Sequence, residues 1–168
     1  MGLFGKSEIT ARELLSEAPL PTRQKITEEW SVVFENCDIP NNAKAGVVTE
    51  LLHLHLFAID LAIFGVFQDK PEIREALRDE LYLHANMHVP EIVDDIPARA
   101  RAYGQAWSNH SRPDKPASQS VARKFTEICG FPLDVIMEYG VTGLFVGLLT
   151  SVKTFFDDIQ KFYRVVPQ

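Results

Sequence analysis

The chain has 168 residues, a size that suits one domain with a single core. Hydrophobic residues at 46% and charged residues at 24% are ordinary for a soluble globular protein. Against 23 acidic side chains there are 17 basic ones, a net charge of −6, and no Lys/Arg-rich run; this argues against a nucleic-acid footprint and suits a cytoplasmic protein. Cys37 and Cys129 form no CxxC pair, so a disulfide framework is not expected.

The N-terminal stretch has no apolar run of signal-peptide length, and Lys6 stands where a myristoylation motif needs Ser or Thr. Gly5-Lys6-Ser7 lacks the distant first glycine and the preceding strand of a phosphate-binding loop. Ser7 is placed to cap a short helix to about Glu17, and Pro19 and Pro21 follow as a linker. A second helix is expected from Thr22 to Asn36, burying Ile26, Trp30, Val33, Phe34 and Cys37. From Ala43 to Phe67 the pattern is helical and apolar nearly all round, which marks a buried central helix. Glu50, His53, His55 and Asp60 interrupt it, so no transmembrane segment is expected there.

Asp69-Lys70-Pro71-Glu72 opens a further helix, and Pro90 ends it near His88. Residues 90–96 offer one more turn, and Pro97 opens an alanine-rich helix to about Ser108. Residues 109–117 read as an exposed loop within a single domain, 1–168. A helix starting at Ser118 or Ser120 closes at Gly130, and a long C-terminal helix is expected over about 132–164. No stretch alternates like a half-buried strand. The fold class is therefore all-α, a compact bundle of five to seven helices around the 43–67 helix.

Four of the five histidines lie between Glu50 and His88. On the central helix Glu50, His53, Phe57 and Asp60 share one seam; on the next helix Leu77, Glu80, Leu81, His84 and His88 share a face. With a hairpin at Gln68–Asp69, antiparallel neighbours have residue numbers summing to about 137, which sets His53 level with His84. Glu50, His53, Glu80, His84 and His88 would then gather at one end of the bundle as a candidate metal site for iron, manganese or zinc. Glu50-Leu51-Leu52-His53 resembles the Glu-x-x-His motif of di-iron helical bundles. A second copy of the motif is missing, since Glu80 to His84 is one residue longer, and Glu138 or Asp134 would have to donate further acids; a mononuclear site also fits. The alternative reading of the same residues is structural: helix-end charges, and an ordinary ion pair Glu50–His88 or Glu80–His84. His55 is expected as a satisfied core histidine and His110 as a solvated loop residue.

Gly140, Gly143, Gly147, Thr150, Ser151 and Thr154 share one face of the last helix. Three interior glycines imply close approach, by the central helix, by a second copy in a homodimer, or by a ligand in a cavity beside that face. Three functional classes follow: a Glu/His metal protein, a non-catalytic homodimeric interaction module, and a small-ligand binder. No nucleophile constellation emerges.

Overall fold

A capping box sets where the helical part of the chain begins. The computed structural model describes residues 6–36, 39–109, 116–130 and 135–167, without the side chains of 32–36. Ser7–Thr10 is a short strand, β1, and helix α1 spans Ala11–Ser16. Thr10 accepts the Glu13 amide N–H at 3.2 Å, while the Glu13 carboxylate accepts the Thr10 N–H at 2.9 Å. Ser7 has no Glu three residues on, so the helix expected from Ser7 starts later, at the better cap.

Helices α2 (Arg23–Asn36), α3 (Asn41–Val66) and α4 (Pro71–His88) follow, with proline in the first turn of α4. A 3₁₀ segment over Pro90–Asp95 leads into α5 (Ile96–Ser108), then come α6 (Ala117–Ile128) and α7 (Val135–Phe162). Gly130, at φ +83°, supplies the left-handed residue that closes α6. The expected buried face of α2 is present at Ile26 and Trp30, whereas Val33, Phe34 and Cys37 lie outside the described side chains, as does His110.

The fold is an all-α bundle with one addition. Tyr163–Val166 is a second strand, β2, pairing parallel with β1 from Ser7↔Tyr163 to Thr10↔Val166. The last helix therefore ends before Arg164. Four-residue strands are too short for alternation to be seen, and their partners come from opposite ends of the chain.

Helix α3 sits at the centre and is buried on nearly every side, as its apolar pattern requires. It packs most extensively on α7, with α2, α4 and α5 around it. Aromatic rings tie the layers together. Phe57 stacks on Phe145 with centroids 5.9 Å apart and lies 5.6 Å from Tyr103, and Phe67 meets Phe156 edge-on at 5.8 Å. The face of α7 turned to the core is Met137, Val141, Phe145, Val152 and Phe156. The glycines are not on it: among the described residues, a Cβ added at Gly140, Gly143 or Gly147 would meet nothing within 4 Å. The central helix thus does not lie in the glycine groove.

Candidate functional site

The α3–α4 register matches the expected one to within a residue. Asp60 pairs with Arg78 at 2.7 Å, and His53, Phe57, Leu81 and Ala85 line one cleft. The rotation of α4 about its own axis is what differs. It turns Ile73, Leu77, Leu81 and Ala85 inward, a stripe at four-residue spacing, and this swings Glu80 and His84 toward α1. The five candidate ligands fall into two groups as a result: Glu50 with His53, and Glu80 with His84 and His88. Among the described residues no group of three or more His, Cys, Asp or Glu side chains is placed to hold one metal ion.

In the first group Glu50 is buried, yet both its oxygens are occupied. Tyr103 donates its hydroxyl to Oε1 at 2.5 Å, and Arg99 donates Nε–H to Oε2 at 2.8 Å. Arg99 and Tyr103 are four residues apart on α5, so one helix face delivers both. Burial, and then the Glu50 carboxylate, hold the Tyr103 phenol well above its ordinary pKa. The same two causes push the Cys129 thiol up to about 12. Sequence reasoning missed Arg99 and Tyr103, because nothing in α5 itself says which carboxylate it will meet.

His53 is 3% exposed. Its Nδ1 lies 3.9 Å from Glu50 Oε2, beyond hydrogen-bonding distance, and has no partner among the described residues; its Nε2 is 3.4 Å from the Ile92 carbonyl. The adjoining cleft, bordered by Asp60, Tyr82 and Arg99, encloses only about 20 Å³, room for one or two waters rather than an organic ligand. Burial lifts the Asp60 carboxyl above its ordinary value, opposed by the Arg78 guanidinium. This end of the bundle is a buried polar network in which one imidazole nitrogen has no partner among the described residues.

The second group borders a groove of about 660 Å³ between α1 and α4. Arg12 reaches across it to Glu80, with Nη2 3.1 Å from Oε1. The His84 and His88 rings lie side by side, centroids 4.3 Å apart. The Nε2 of His84 is buried and has no hydrogen-bond partner among the described residues. Burial first, and His88 second, hold the His84 pKa below its ordinary value.

Gly140, Gly143 and Gly147 lie on an exposed part of α7. A cavity of about 190 Å³ lies further along, where Leu148, Ser151 and Val152 meet Pro19, Pro21 and His55. Of the two helices among the described residues that are long and apolar enough to cross a membrane, α3 is 78% buried over its most apolar window and α7 only 22%. No family model, curated protein or solved structure matches the chain.

Proposed function

We propose that this protein is a non-catalytic interaction module that self-associates through the outer face of α7. One observation carries the reading: a helix as apolar as a core helix has 22% of its most apolar window buried. Val135, Ile136, Tyr139 and Val146 are 62%, 76%, 65% and 44% exposed, and they share their face with the three glycines. Each interior glycine costs the helix up to ~1 kcal/mol relative to alanine. Among the described residues none lies within 4 Å of where a Cβ at these glycines would stand, so no close approach within the chain offsets that cost there.

The face suits a second copy of itself. An antiparallel crossing centred on Gly143 sets Tyr139 over Gly147 of the second copy, Val146 over Gly140 and Ile136 over Thr150, so bulky residues meet holes on both sides of the two-fold axis. From Val135 to Ser151 the only charged residue is Glu138, already paired with Arg123 at 3.3 Å, so like charges do not oppose one another in the contact. A strip ~25 Å long and ~10 Å wide offers on the order of 250 Å² per copy, well below the usual ~800 Å², so the dimer is of the weak, reversible kind.

Sedimentation velocity over a concentration series tests this. The expected result is a rise from the 19.0 kDa chain mass to twice that value, abolished in Gly143→Leu with the helical circular dichroism unchanged. A monomeric mass at about 200 μM would overturn the reading. So would a monomer that floats with neutral phosphatidylcholine vesicles, because α7 would then be covered by lipid.

A further inference from the structure

We propose that the groove between α1 and α4 is a transition-metal site whose protein ligands are His84 and His88, a function separate from association through α7. The two residues are four apart on α4 and therefore share a face, with ring centroids 4.3 Å apart.

Among the described residues the buried Nε2 of His84 has no hydrogen-bond partner, so the nitrogen that a metal would take is not engaged elsewhere.

His88 is exposed and next to it, so a side-chain rotation within the groove brings its own ring nitrogen to the same ion. Glu80, one turn earlier, is turned to Arg12. With no third described His, Cys, Asp or Glu in position, water completes the coordination sphere. Two neutral imidazoles without thiolate select a borderline ion of the zinc, copper or nickel type over magnesium or calcium.

The probe is zinc chloride, titrated calorimetrically into full-length protein without an affinity tag at about pH 7.5, where free histidine is neutral. One zinc per chain is expected. His88→Ala should weaken binding at least about tenfold, as should His84→Ala, while His53→Ala should not change it. Because His88 is exposed, its removal leaves the fold intact, and an unchanged circular dichroism spectrum verifies this. Wild-type zinc affinity in His88→Ala would overturn the proposal, as would no heat of binding at about 1 mM zinc.

Discussion

Arg99 closes the buried carboxylate of Glu50 from the solvent side, with Nε 2.8 Å from Oε2. The Arg99 side chain is 34% exposed and that of Glu50 5%, so the pair runs from the surface into the α3–α5 interface. Tyr103 holds the inner oxygen from a fully buried position. One carboxylate therefore sets the rotation of α5 against α3, and with it the placement of Tyr103 against Phe57.

This network makes a graded stability prediction. Arg99→Ala leaves Glu50 buried without its cation and should destabilise by about 2–4 kcal/mol, below the full value for a deep pair because Arg99 is partly solvated. Tyr103→Phe removes one hydrogen bond to the same group and should cost about 1–2 kcal/mol. The triple variant Glu50→Leu, Arg99→Met, Tyr103→Phe replaces the whole set with apolar groups and should be less damaged than Arg99→Ala alone. Urea unfolding midpoints report all three, and an Arg99→Ala midpoint equal to wild type would mean the pair contributes nothing.

His55 gives the protein an acid-sensitive core. Its Nδ1 donates to the Leu51 carbonyl at 2.8 Å, and burial lowers its pKa from 6.5 to about 4, against the Leu51 hydrogen bond and helped by the charge of Lys25. The unfolded chain therefore takes up the proton first as pH falls. The stabilising contribution is complete above about pH 6.5 and is lost progressively down to about pH 4, amounting to ~3 kcal/mol. His55→Leu should flatten the stability profile across that window relative to wild type. The His84 shift acts in the same direction in both proteins, so the difference between them isolates His55. Chemical denaturation at about pH 7, 5.5 and 4 checks it, and parallel profiles would refute the buried neutral imidazole.

The helices were readable from the residue pattern because most carry their own start and stop: Pro71 in the first turn of α4, Pro90 after it, Gly130 after α6. The central helix was readable because α3 is apolar all round, and burial on all sides is the only way to satisfy that. The level of His53 against α4 was also readable, since a tight hairpin fixes it. The rotation of α4 was not. Two overlapping stripes, Leu77-Leu81-Ala85 and Glu80-His84-His88, lie on adjoining flanks of that helix, and the choice between them rests on α1 supplying Arg12 to the second. Sequence spacing within one helix cannot register a partner 68 positions away. The β1–β2 pairing escaped for the same reason, as it joins the two ends of the chain.

The glycines of α7 provide a prediction in which folding and association move in opposite directions. At Gly143 and Gly147 an added Cβ meets nothing within 4 Å among the described residues, and neither glycine has the positive φ that would exclude a side chain. Alanine should therefore be accepted without strain and should stiffen the helix, raising the stability of the isolated chain by about 0.5–1 kcal/mol per site. In an antiparallel crossing at Gly143 the same methyl groups fill the holes meant for the second copy and hold the two helices apart. The double variant Gly143→Ala, Gly147→Ala should consequently unfold at a higher temperature when dilute, yet dimerise at least about tenfold more weakly. Thermal melts at low concentration, paired with sedimentation at high concentration, separate the two effects. A variant that is both more stable and equally dimeric would show that the glycines serve no contact on this face.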